Sequence, residues 1–248
     1  MPAIESSAPR GSLGYRENDP RQRLIVALDV STAAAAQKIV AAVGDSALTY
    51  KVGMQLYTAE GPQVVRDLAA AGRRVFLDLK YHDIPHTVGA AVAEAAKLGV
   101  SMLTVHAAGS VKMLNAAVEA AHERPGLMVL AVTVLTSLDA NDLDKIGIRG
   151  SVEDSVVRLA TIALAGGCHG VVTSAREAST LRAELGEHFA IVTPGVRPAG
   201  SHVADQVRVV TPAEAIAAGA SHIVVGRPIT HAADPAAEAR AILGQISC

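Results

Sequence analysis

The chain has 248 residues, of which 50% are hydrophobic and 2% aromatic, and its formal net charge is -2. That length fits one large α/β domain better than two small ones, and the apolar share supports a substantial core built from small aliphatic side chains. A near-neutral chain with few aromatics has neither the field nor the stacking surfaces for nucleic acid, so no nucleic-acid partner is expected.

Residues 1–23 are polar, with Ser, Gly, Pro and mixed charges and without the apolar core of a signal peptide. They are expected to form a flexible extension ahead of a catalytic domain at 24–248. No uninterrupted apolar run approaches the ~18 residues of a membrane span, so no membrane partner is expected. Cys168 and Cys248 belong to no CxxC or metal-spaced set. They read as a small core residue and a tail thiol, a usage that fits the reducing cytoplasm.

From Leu24 onward, β-branched runs alternate with Ala-rich stretches. Strands are predicted at 24–30, 47–53, 74–80, 102–107, 127–135, 169–173, 190–194 and 221–226. Helices are predicted at 32–43, 61–71, 87–98, 110–122, 152–165, 175–185, 212–218 and 235–243. Ser31 is placed to cap the first helix, and Pro62 and Pro212 suit first turns. Gly72, Gly99 and Gly219 each follow an Ala-rich run, as a left-handed helix stop requires. Strict alternation implies a parallel sheet, and eight units in about 225 residues imply an α/β fold of the (β/α)8 TIM-barrel kind in a single domain. An open doubly wound sheet is the alternative, but 166–170, Gly-Gly-Cys-His-Gly, precedes a strand and lacks the dinucleotide fingerprint.

Charges gather at the predicted strand ends. Strand side chains alternate faces, so Asp78 and Lys80 point the same way near the end of the third strand. Asp29 ends the first strand, Lys51 lies late in the second, and His106 ends the fourth. In a barrel these positions ring the C-terminal mouth, where catalytic residues collect. Burying one such charge alone costs several kcal/mol, whereas an alternating acid–base set compensates itself. A structural ion-pair network is the bland reading, and a catalytic set is the sharper one. Asp83 follows on the mouth loop, where Pro85 breaks the strand and can start a helix. His82 and His86 have zinc-like i, i+4 spacing, but His82 precedes Pro85 and no third ligand is evident, so no metal is expected. The nine histidines are otherwise scattered, and most are expected on surfaces and loops. The segments 193–198, Thr-Pro-Gly-Val-Arg-Pro, and 226–228, Gly-Arg-Pro, follow strands seven and eight, where barrels often bind phosphate. Glycine admits a close oxygen, and arginine supplies a fork of donors.

The segment 78–85, Asp-Leu-Lys-Tyr-His-Asp-Ile-Pro, resembles the DxKxxDIP signature of the orotidine 5'-monophosphate decarboxylase family. The resemblance extends through 24–29, 50–53, 134–137, 193–198 and 223–228, and so covers nearly everything after Arg23. It implies a cofactor-free, metal-free barrel, homodimeric with shared active sites, that converts orotidine 5'-monophosphate to UMP and CO2 in pyrimidine biosynthesis. By the same resemblance Lys80 is the proton donor, Asp78 lies beside the substrate carboxylate, and Lys51 fixes the charge network and the ribose. Asp29 binds the ribose. Asp83, Ile84 and Thr87 reach the partner's site. Thr136 or Ser137 contacts the base, and Pro194, Arg197, Gln206, Gly226 and Arg227 line the base and phosphate region. One departure is His86, where many relatives carry Asn. Two rivals remain open at this point: a magnesium-dependent sugar-phosphate decarboxylase or aldolase on the same barrel, and a non-catalytic nucleotide-phosphate binding barrel. The closing loop is expected at 199–209 from its Gly, Ser and Asp content.

Overall fold

The computed structural model describes residues 19–198 and 210–247. Gln206, the expected closing loop at 199–209, Cys248 and most of the expected extension lie outside the described residues.

Eight parallel strands close in chain order: β1 (Leu24–Ala27), β2 (Thr49–Gly53), β3 (Arg74–Tyr81), β4 (Met102–His106), β5 (Met128–Val132), β6 (Gly170–Val172), β7 (Ala190–Thr193) and β8 (His222–Val225). The ring is sealed by β8 pairing with β1, Leu24 opposite Ile223 and Val26 opposite Val225. Alternation divides each strand between two cores. Leu24, Val26, Tyr50, Val52, Val75 and Leu77 face outward into the core beneath the helices. Ile25, Ala27, Phe76, Met102, Leu130 and Val224 point inward and fill the lumen, so the barrel is packed rather than hollow.

The helices are α1 (Pro20–Arg23), α2 (Ala33–Val43), α3 (Met54–Glu60), α4 (Gln63–Ala70), α5 (Pro85–Lys97), α6 (Ser110–Ala121), α7 (Ala140–Lys145), α8 (Val152–Ala165), α9 (Ala175–Leu185), α10 (Pro212–Ala217), α11 (Arg227–Thr230) and α12 (Pro235–Ile246). All eight expected strands and helices are present, but local chemistry moves several details. The cap of α2 is Thr32, not Ser31: the Thr32 hydroxyl accepts the Ala35 N–H at 3.2 Å, while Ser31 Oγ accepts from Gln55 Nε2 at 2.8 Å. The helix expected at 61–71 is α4, which Pro62 caps, and an unexpected helix, α3, precedes it and ends at Gly61 (φ 66). Short α7 and α11 follow β5 and β8, where no helix is expected from the pattern. Gly72, Gly99 and Gly219 do take positive φ, at 75, 86 and 106°.

Residues just ahead of Leu24 are part of the described structure. Asp19 caps α1, and the Arg23 guanidinium donates to the carbonyls of Ala220, Ser221 and Ile246. Those three bonds tie Arg23 to the residues just ahead of β8 and to α12, so residues 19–23 pack against the barrel.

Candidate active site

The charged strand-end residues converge. Lys51 Nζ lies 2.8 Å from Asp29 Oδ1 and 3.8 Å from Asp78 Oδ2, and Lys80 Nζ lies 2.8 Å from Asp78 Oδ1. The result is one line of alternating charge: Asp29, Lys51, Asp78, Lys80. The Lys51 and Asp78 side chains are only 11% and 14% exposed, whereas Asp29, which lies beyond the end of β1 at Ala27, is 59% exposed. Removing one partner from a pair as buried as Lys51 and Asp78 costs ~3–5 kcal/mol, because it strands the other charge. Gly53 makes room for this pairing. A Cβ there would come within 2.9 Å of Lys51 Nζ and 3.4 Å of Asp29 Oδ1.

The alternation argument for Asp78 and Lys80 reaches the right face through an irregular backbone. Leu77 pairs with Leu103 and Tyr81 with Val105, so four residues of β3 pass two of β4. Within this bulge Lys80 takes φ 55, a left-handed conformation that costs a non-glycine residue about 1–3 kcal/mol. Its N–H donates not to a strand carbonyl but to Thr104 Oγ1, at 2.9 Å. The Thr104 hydroxyl in turn donates to Asp78 Oδ1 at 2.9 Å.

A cavity of about 210 Å³ opens over this set, lined by Lys51, Asp78 and Lys80 and by Thr136 and Pro194. Its remaining walls are mainly apolar, from Phe76, Val132, Val134, Leu135, Val172 and Val224, with Thr173, whose buried hydroxyl has no hydrogen-bond partner among the described residues. Val134, Leu135, Thr136 and Pro194 are shared with an adjoining cleft of about 930 Å³ that also includes Ser137 and Gly195. The arrangement is a small apolar chamber with ammonium and carboxylate groups at one wall, open to a larger vestibule. Such a chamber excludes water from a small planar group and strengthens any charge interaction within it.

His106 ends β4 as expected, and its ring lies 5.4 Å from that of His82, tilted by 35°. Burial, then the neighbouring His82 and Lys80, hold the His106 imidazole below its ordinary range, against the pull of Asp78. Helix α5 starts at Pro85, so His82 and His86 do not share a helix face. Asp83 and Ile84 on the turn into α5, and Thr87 in its first turn, are exposed and are not among the residues lining the cavity. The Asp83 carboxylate accepts the Ile84 N–H at 2.6 Å, and Ile84 itself is 64% exposed.

After β7, Arg197 is buried, and its N–H donates to the Val210 carbonyl at 3.1 Å. After β8, Gly226 caps α11 and lies near Asp29, and Arg227 is its exposed first residue. Thr104 and Thr173 were not singled out by the sequence reading. For Thr104 the available signal was its position on β4, two residues before His106 and therefore on the same inward face.

The family model described as Orotidine 5'-phosphate decarboxylase / HUMPS family matches residues 22–242. A relative from Anaeromyxobacter dehalogenans is 54% identical over 223 residues, which span 90% of this chain and 97% of that protein. Another, from Afipia carboxidovorans, is 54% identical over 229 residues, 92% of this chain and 96% of that protein. Both carry the name orotidine 5'-phosphate decarboxylase. Among solved structures, the orotidine 5'-phosphate decarboxylase of Lactobacillus acidophilus superposes with a TM-score of 0.82 at 38% identity, covering 92% of this chain and all of that one. A barrel in chain order, a lysine–aspartate line at its mouth and relatives half identical over nearly the whole length agree: the chain belongs to the orotidine 5'-phosphate decarboxylase / HUMPS family.

Proposed function

We propose that Lys80 is the proton donor in a direct decarboxylation of orotidine 5'-monophosphate. The overall activity, conversion of that nucleotide to UMP and CO2 in pyrimidine biosynthesis, follows from the family and from relatives of the same name about half identical to this chain. The observation that carries the lysine mechanism is the 2.8 Å contact of Lys80 Nζ with Asp78 in a chamber whose other walls are mostly apolar.

When the bond between C6 and the carboxylate breaks, CO2 leaves and the electron pair stays on C6, which has no adjacent electron sink. The acceleration required lies toward the upper part of the ~8–23 kcal/mol that enzymes supply. The Lys80 ammonium stabilises the growing charge and then gives C6 a proton, which it regains from solvent. Asp78 lies beside the departing carboxylate and disfavours it. Two unit charges ~4 Å apart interact by about 4 kcal/mol at an effective dielectric of 20, too little to drive the reaction alone. Preorganisation by Lys80 and binding energy drawn from the distant phosphate supply the larger share.

Asp29 and Lys51 hold the ribose. Thr136 or Ser137, with Pro194 and Gln206, addresses the base, and Arg197, Gly226 and Arg227 address the phosphate. The chain works in the cytoplasm, in keeping with its sparse cysteines. It works as a homodimer in which Asp83, Ile84 and Thr87 complete the partner's site. Their exposure at the mouth, with Ile84 largely uncovered, supports that reading.

The test is the absorbance loss of orotidine 5'-monophosphate with purified protein in excess EDTA. Wild type turns over in EDTA, and Lys80→Ala still binds UMP but loses about 10⁵-fold in kcat. Activity that vanishes with chelation would favour the magnesium-dependent rival. Mixing Lys80→Ala with Asp83→Ala subunits restores part of the activity if sites are shared, and restores none if each subunit is self-sufficient.

A further inference from the structure

We infer that Thr104 is the positioning residue that sets the geometry of Lys80 and Asp78. Thr104 is fully buried in the middle of β4. Its single hydroxyl makes two bonds at once: it accepts the Lys80 N–H and donates to Asp78 Oδ1, each at 2.9 Å. A hydroxyl has one hydrogen and two lone pairs, so these roles are compatible and fix its rotation. β-branching restricts its χ1 on a strand, so the oxygen is presented in a narrow range of positions.

The consequence is local to the bulge. Four residues of β3 pass two of β4, so the Lys80 N–H is out of step with the ladder. The Thr104 hydroxyl takes the place of the missing strand carbonyl and holds Lys80 at φ 55, the turn that returns its side chain to the lumen. The same oxygen orients Asp78, because Asp78 Oδ1 then receives both Thr104 Oγ1 and Lys80 Nζ, leaving Oδ2 toward Lys51. One neutral group thus sets the backbone of the proposed proton donor and the carboxylate beside it from outside the cavity lining. The line of four charges shows which groups act, and Thr104 accounts for where they stand.

This inference rests on the decarboxylase reading for its kinetic readout, so a second readout is independent of it. Thr104→Val keeps shape and branching and removes only the hydroxyl. Its kcat falls about 10–100-fold, the scale of a misplaced catalytic group, while KM changes less than about 3-fold. Thr104→Ser returns kcat to within about 5-fold of wild type. Amide hydrogen exchange at Lys80 is protected in wild type and in Thr104→Ser and accelerates in Thr104→Val. If Thr104→Val is not recovered folded, Thr104→Ala takes its place against the Ser variant. A Val variant within 2-fold of wild type, a Ser variant as impaired as Val, or unchanged exchange at Lys80 would overturn the assignment. Wild type that fails to decarboxylate orotidine 5'-monophosphate would instead overturn the functional reading, and the exchange measurement would still decide the role of Thr104.

Discussion

The two ends of the barrel lumen handle polar side chains in opposite ways. At the C-terminal mouth, Asp29, Lys51, Asp78 and Lys80 are interlocked at 2.8–3.8 Å, and a buried threonine clamps the last two. At the N-terminal floor, His222 opens β8 and Thr49 opens β2, and both are buried. Neither ring nitrogen of His222 nor the Thr49 hydroxyl has a hydrogen-bond partner among the described residues. The mouth carries formal charges made tolerable by one another. The floor carries the unpaired neutral side chains of His222 and Thr49, with the Arg23 and Arg74 guanidiniums near the His222 ring. A group at the mouth should therefore be felt in catalysis, and a group at the floor in stability alone.

The largest effect that would test this division comes from Gly53→Ala. The backbone there has φ -92, which any residue adopts, so the change introduces no backbone strain. Its methyl would meet Lys51 Nζ at 2.9 Å and push it from Asp29. We expect kcat/KM to fall by about 10- to 100-fold, with the folded state destabilised by no more than about 1 kcal/mol. A variant with full activity would show that the Lys51–Asp29 contact is ornamental. One that lost stability in proportion to activity would erase the distinction between the two ends.

The order of elements and the charge line at the mouth were legible from sequence because both depend on period. Alternating strand and helix patterns gave eight units, and the two-residue repeat put Asp78 with Lys80. What period does not carry was not legible. The β3 bulge depends on a neighbour 24 positions away, Thr104, whose hydroxyl substitutes for a carbonyl. The unexpected α3 lies ahead of the 61–71 span, where seven residues between a strand and Gly61 carry little helical repeat. Short α7 and α11 carry too few residues for an amphipathic repeat to register. Most histidines are expected on surfaces and loops, but His222 is 1% exposed inside the lumen. Nothing local distinguishes it from the residues of any other buried strand.

His222 offers the next test, by pH. Burial, then the nearby Arg74 and Arg23, push its imidazole down to about 3. In the unfolded chain a histidine titrates near ~6.5. Between those values the unfolded state binds the extra proton, so stability is fully present above about pH 6.5 and is lost as pH falls toward 3. The loss attributable to His222 grows to a few kcal/mol, about 5 at most, at the acid end of that window. His106 and His169, both lowered first by burial, add smaller contributions of the same sign. Denaturant unfolding of His222→Leu from pH 7 to pH 4 should give a flatter acid slope than wild type, with turnover at pH 7 unchanged. An identical slope would mean that the ring is hydrated or protonated in the native protein.

The smallest effect is the most direct contrast with Thr104. Thr49 and Thr104 are both fully buried threonines on inward-facing strand positions, and each could be replaced by valine with little change of shape. Thr104 uses its hydroxyl twice, and that of Thr49 has no partner among the described residues. Burying an unpaired hydroxyl costs about 1–3 kcal/mol, and its removal by an apolar group of the same shape is neutral or stabilising. Thr49→Val should accordingly leave kcat untouched and raise the unfolding midpoint by about 2–4 °C for each kcal/mol recovered in a chain of this size. If Thr49→Val instead lowers stability, a water inside the floor satisfies the hydroxyl. The floor would then be a hydrated layer, and the difference between the barrel's two ends would be one of charge alone.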